Sequence, residues 1–150
     1  MVFVLDGSPV KPNSYKTNLP ELSLIRQNTA VETITSMDDQ GELTRRYTEE
    51  ALTFINQNSK KPFFLYLAHS MPHIPMGVTS DFNDKKQTLY ANVVNEIDWS
   101  VEQITKQLQR LNLTDDTIII FTSDNGPWLN YGNHAGSTGG LREGKGTCWE

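Results

Sequence analysis

Asp124, Asn125, His73, His134, Arg142 and Lys145 are the side chains whose types and setting could do chemistry. Asp124 and Asn125 lie in Thr122-Ser123-Asp124-Asn125-Gly126, directly after Thr117-Ile118-Ile119-Ile120-Phe121. An anionic oxygen beside a neutral amide oxygen suits a hard cation such as calcium. The same Asp-Asn-Gly triplet is also good turn chemistry. His69 and His73 share the segment His69-Ser70-Met71-Pro72-His73-Ile74-Pro75. Two histidines on one loop could ligate a metal, donate hydrogen bonds to an anion, or shuttle protons. His69 suits a core position equally well. His73 sits between Pro72 and Pro75, which restrict the backbone and limit the entropy lost in positioning its ring. Asn133 to Thr147 is rich in glycine, so backbone there can approach a ligand closely. Arg142 and Lys145 bring positive charge that suits an oxyanion such as sulfate or phosphate. The stretch is not a Walker loop, since Lys145 precedes Gly146. Taken by itself it is also a solvated, flexible loop.

The elements that must position these residues follow from periodicity. Leu43, Tyr47, Ala51, Phe54 and Ile55 fall at helical spacing between about Glu42 and Asn58, with Asp38-Asp39 as the expected helix start. Val94, Ile97, Val101, Ile104, Leu108 and Leu111 mark a longer helix from about Leu89, with this stripe buried. Glu96 and Asp98 on that helix read as a solvated face. Phe63 to Ala68 and Thr117 to Phe121 read as strands apolar on both faces, hence central. Helix, strand, helix, strand implies a parallel sheet with right-handed crossovers. Both strand ends, carrying His73 and Asp124, would then open on one side of the sheet. Earlier in the chain, Val2 to Leu5 and Val31 to Ile34 read as short strands separated by a proline-rich stretch.

The chain has 150 residues, a formal charge of −5 and 37% hydrophobic residues. That size accommodates one ordinary domain. Without a Lys/Arg cluster, nucleic-acid and anionic-membrane partners have no electrostatic support. No apolar stretch is long enough to cross a bilayer. Cys148 stands alone and has no flanking base, so neither an intrachain disulfide nor a thiol nucleophile is expected.

Four motifs in order resemble the sulfatases of the arylsulfatase A-like branch, within the alkaline phosphatase-like superfamily. They are Lys61 to Leu67 with Pro72-His73-Ile74-Pro75, then Ile97-Asp98-Trp99-Ser100-Val101, then Phe121 to Pro127, then Leu141 to Thr147. The resemblance implies an α/β fold, here a partial sulfatase domain over residues 1–150 with a mainly parallel or mixed sheet flanked by helices. It implies sulfate-ester hydrolysis with one calcium ion and a formylglycine made from Cys or Ser. Asp124 and Asn125 would be calcium ligands. His73 would contact the sulfate or the leaving-group oxygen, and Lys145 a sulfate oxygen. His134 and Arg142 would select the substrate, a sulfated small molecule or glycan. Sulfatases of this type are commonly exported. The family's Cys/Ser-x-Pro-x-Arg nucleophile motif is missing, because Ser70-Met71-Pro72-His73-Ile74 has Ile where Arg is needed. The chain is therefore expected to be an internal fragment, inactive alone, with its nucleophile upstream. Two other readings stay open: a phosphomonoester or phosphodiester hydrolase of the same superfamily, and a non-catalytic module for sulfated glycans. Asn125 favours sulfate, since two-metal phosphate sites prefer imidazole there.

Overall fold

A computed structural model describes residues 22–148. The expected strand at Val2 to Leu5 lies outside them. Strand β1 (Leu22–Arg26) and strand β2 (Thr29–Ile34) form an antiparallel pair, with Leu22 opposite Ile34 and Leu24 opposite Glu32. Leu22, Leu24 and Ile34 are buried together with Leu43 and Tyr47, and half-buried Leu67 packs against them. The two-residue period of the strand thus puts alternate side chains of β1 on the core side.

Helix α1 (Met37–Gly41) starts earlier than the acidic pair suggests. Ser36 is its cap: Asp39 N–H donates to Ser36 Oγ (3.0 Å), and Ser36 N–H donates to Asp39 Oδ2 (3.0 Å). Asp39 is therefore the third helical residue of a capping box rather than the start signal. Its carboxyl is held below the usual range by hydrogen bonds from Ser36 and Thr35. Helix α2 (Leu43–Asn58) buries Leu43, Tyr47, Ala51 and Ile55, as the spacing predicts.

Helix α3 (Leu89–Arg110) begins at Thr88, whose hydroxyl accepts from Ala91 N–H. Its inward stripe is rotated from the expected one. Val93, Glu96, Ile97, Ser100 and Leu108 are buried, while Val94 is exposed. The rotation has a polar cause. Thr48 Oγ1 on α2 donates to Thr44 O (2.7 Å) and lies 2.6 Å from Ser100 Oγ, and both Thr48 and Ser100 are fully buried. A hydroxyl pair at the crossing of two helices fixes their register, and the apolar residues follow. Glu96 is likewise not on a solvated face. It is 1% exposed and accepts from Thr79 N–H (3.1 Å) and Thr79 Oγ1 (3.0 Å). Burial raises its carboxyl pKa.

The two segments expected as central parallel strands carry no regular secondary structure, and no strand among the described residues pairs with either. Residues 63–68 still alternate: Phe63, Leu65 and Leu67 are half-buried, whereas Phe64 and Tyr66 are 85% and 79% exposed. In residues 117–121, Ile118 and Ile120 are 89% and 81% exposed. Their sequence demands cover on two faces, and the described residues supply at most one. The ladder formed among the described residues is the antiparallel β1–β2 pair.

Candidate active site

His69 and His73 part company within five residues. His69 Nε2 lies 3.1 Å from Ser100 Oγ, extending the buried Thr48–Ser100 pair to a third, half-buried polar group. Burial pushes its pKa down to about 4, so the ring is neutral at neutral pH. His69 is thus a core residue that fixes the start of the loop.

His73 is exposed. Its Nδ1 lies 2.6 Å from Ile74 O. A carbonyl oxygen can only accept, so Nδ1 carries the proton. The loop around it is tied down. His73 N–H donates to Ser70 O (3.2 Å), and Gln40 Nε2 donates to Pro75 O (2.8 Å). Met71 and Met76 are buried with Val93 and Ile97 of α3, and Ile74, Val78, Leu89 and Tyr90 pack around that cluster. Beyond the loop, Arg45 donates to Asp81 Oδ2 (2.6 Å) and its guanidinium lies 5.2 Å from the Trp99 ring centre.

Asp124 and Asn125 are exposed at the bend that ends residues 117–121. Ser123 Oγ donates to Asn125 O at 2.8 Å and tightens that bend. The lysine loop lies directly alongside. Lys145 N–H donates to Pro127 O at 2.9 Å. Gly144 is buried in this contact, and a Cβ on it would stand 2.4 Å from Pro127 O, so no other residue fits without moving the loop. Lys145, remote in sequence from Asn125, is therefore held next to the acid–amide turn by its own backbone.

The first turn of α3 joins the two halves. Tyr90 packs against the cluster beneath the histidine loop. On its other side sits Gly136, where an added Cβ would be 2.5 Å from the Tyr90 hydroxyl and 2.7 Å from Pro127 Cβ. Sequence reasoning missed Tyr90, because an aromatic residue in the first turn of an amphipathic helix carries no functional signature. The 3-10 turn Gly132–His134 also rests against α3 and presents an exposed His134. Arg142 is exposed, with its Nε 3.7 Å from the Glu143 carboxylate.

Among the described residues no group of three or more His, Cys, Asp or Glu side chains is arranged to hold a metal ion. Asp124 and Asn125 supply two oxygen donors on exposed, adjacent residues. That donor chemistry fits part of a calcium shell, which takes 6–8 oxygens.

The family model that matches the chain is Sulfatase, over residues 8–150. The chain belongs to the sulfatase family. It is 40% identical over 114 residues to the steryl-sulfatase of Homo sapiens, covering 72% of this chain and 20% of that protein. It is 35% identical over 109 residues to an arylsulfatase of Hemicentrotus pulcherrimus, covering 72% and 20%. With the N-acetylgalactosamine-6-sulfatase of Canis lupus familiaris it shares 40% identity over 115 residues, covering 74% and 22%. The chain thus spans about a fifth of the length of these relatives. A solved structure in complex with k-i-k-neocarrahexaose superposes with a TM-score of 0.60 at 28% identity, covering 82% of this chain and 26% of the other. Another, from work on glycosaminoglycan metabolism by Bacteroides thetaiotaomicron, gives 0.58 at 34% identity, covering 61% and 19%. The fold is accordingly a partial α/β sulfatase domain, and the family chemistry is sulfate-ester hydrolysis. No helix among the described residues is long and apolar enough to cross a membrane.

Proposed function

We propose that this chain contributes part of the active site of a calcium-dependent sulfatase, with its nucleophile, a formylglycine, supplied from outside the 150 residues. The observation that carries the proposal is the Lys145 N–H to Pro127 O hydrogen bond, which sets an ammonium-bearing residue beside Asp124 and Asn125. Asp124 and Asn125 would hold the calcium ion together with oxygens from elsewhere in the enzyme. Held by these residues, a calcium ion would supply positive charge to offset negative charge on the sulfuryl oxygens. Lys145 Nζ would donate to one sulfuryl oxygen as a compact point charge. His73, fixed at Nδ1 by Ile74 O, would meet the leaving-group oxygen with Nε2 and, when protonated, donate to it. His134 and Arg142 would contact the group that carries the sulfate. That group is a sulfated sugar or other small ester, as the names of the N-acetylgalactosamine-6-sulfatase and steryl-sulfatase relatives suggest.

A phosphate-ester hydrolase of the same superfamily is the competing reading, and Asn125 weighs against it, because an amide oxygen suits calcium better than zinc or manganese. The full-length enzyme should release sulfate from an aryl sulfate far faster than phosphate from the matching aryl phosphate. The 150-residue chain alone should release neither above blank. Turnover of the sulfate ester by the isolated chain would refute the external nucleophile, and a preference for phosphate would refute the substrate class.

A further inference from the structure

Helix α3 ends in a turn that its backbone closes. Leu113 N–H donates to Leu108 O (2.9 Å) and Asn112 N–H donates to Gln109 O (3.0 Å). These are the paired bonds of a helix stop whose first residue past the end is left-handed. Asn112 holds that position, with φ +55°. Glycine is usual there and asparagine is tolerated. Asp116 N–H (3.2 Å) and Thr117 Oγ1 (2.7 Å) then donate to Leu113 O and complete the turn. The backbone thus accounts for Asn112. It does not account for Thr114, which is exposed and takes part in none of these bonds.

Together the two residues make Asn112-Leu113-Thr114, the Asn-x-Thr acceptor sequence of an N-linked glycan. No other asparagine in the 150 residues has Ser or Thr two places on. Such a match carries weight only on an accessible surface turn. Asn112 and Thr114 are both exposed, and among the described residues the Asn112 side chain has no hydrogen-bond partner. With Gln109 and Asp115 they line an open polar hollow. A bulky, solvated group attached there needs no buried side chain to move. The turn also stands clear of the candidate active site. Helix α3 runs 22 residues from Leu89 to Arg110, about 33 Å by its rise, and Tyr90, at the opposite end from Asn112, packs against the loops of that site.

We infer that Asn112 is the attachment point of an N-linked glycan when the enzyme is exported through a secretory pathway that supplies a lipid-pyrophosphate-linked oligosaccharide. The Asn112 side-chain nitrogen bonds to the anomeric carbon of the first sugar. The bond from that carbon to the pyrophosphate oxygen breaks, and the lipid pyrophosphate leaves. The amide proton passes to a base of the transferase, which reads the Thr114 hydroxyl two places on. This modification is independent of the catalytic roles proposed above.

Peptide mapping of the full-length enzyme secreted from a eukaryotic cell tests it. The peptide that carries Asn112 should bear N-acetylhexosamine and hexose, and peptide N-glycosidase should release them and leave an aspartate in place of the asparagine. Asn112→Gly, which suits the left-handed turn, and Thr114→Ala, which keeps the asparagine, should each abolish the modification. Thr114→Ser should retain it. Recovery of the parent peptide without sugar, or sugar still present in Thr114→Ala, would overturn the site. Sulfate release by Asn112→Gly should equal the parent's, and a loss there would overturn its placement clear of the active site.

Discussion

From His69 to Thr79 the chain is tied down by buried partners on two helices: Gln40 on α1 holds Pro75, and on α3 Ser100 holds His69 and Glu96 holds Thr79. From Thr117 to Thr147 the attachments are of another kind. They are backbone contacts between loops, Lys145 to Pro127 above all, and Gly136 seated on Tyr90, while Ile118 and Ile120 stay largely in solvent. His73 is thus presented by a loop that the chain's own core makes rigid. Asp124 and Lys145 are presented by loops that hold one another, and the segment leading to Asp124, residues 117–121, has faces that the described residues leave open. The difference teaches that the two halves of the candidate site differ in what supports them. One is a property of this chain's core, and the other depends on what covers residues 117–121.

Three perturbations sharpen or break this contrast. Glu96→Ala should have the largest effect. It strands two buried Thr79 donors and leaves a cavity, which costs about 4 kcal/mol. Urea unfolding should show a correspondingly lower midpoint, and a change under about 1 kcal/mol would mean that the histidine loop is not fastened there.

Acidification comes next. The folded pKa of His69, about 4, lies below its ordinary 6.5, so between these values the unfolded chain binds the extra proton. Stability is full above pH 6.5 and falls as pH drops towards 4, by up to about 3 kcal/mol from this residue. His69→Gln should remove that part of the pH dependence in unfolding curves taken across the window. A variant with the same slope as the parent would show that the ring is not buried neutral.

Asp124→Ala should matter least to stability, shifting unfolding by about 0.5 kcal/mol or less, as exposed substitutions do. It should nevertheless abolish calcium-dependent shifts of the Asn125 and Gly126 amides in NMR spectra. If Asp124→Ala destabilises the chain as much as Glu96→Ala, the two regions are not differently supported and the contrast fails.

Much of this was legible from residues alone. Helices α2 and α3 announced themselves because a buried stripe on a helix must recur at three and four residues, whatever covers it. The candidate loops announced themselves because Pro, Gly, Asp and Asn have strong local preferences. The rotated face of α3 was not legible. Glu96 looks solvent-facing by its charge, and only the position of Thr79 across space makes it a buried partner. The histidines show the same limit: Ser100, 31 residues from His69 in sequence, makes that ring structural.

The sequence by itself determined the helices, the loops and the sulfatase motifs, because these depend on short-range spacing and on residue chemistry. Tertiary structure alone decided which face of α3 is inside, that His69 is core and His73 is not, and that Lys145 lies beside Asp124. Those facts rest on hydrogen bonds and close approaches between residues far apart in the chain, and no local pattern encodes such distances.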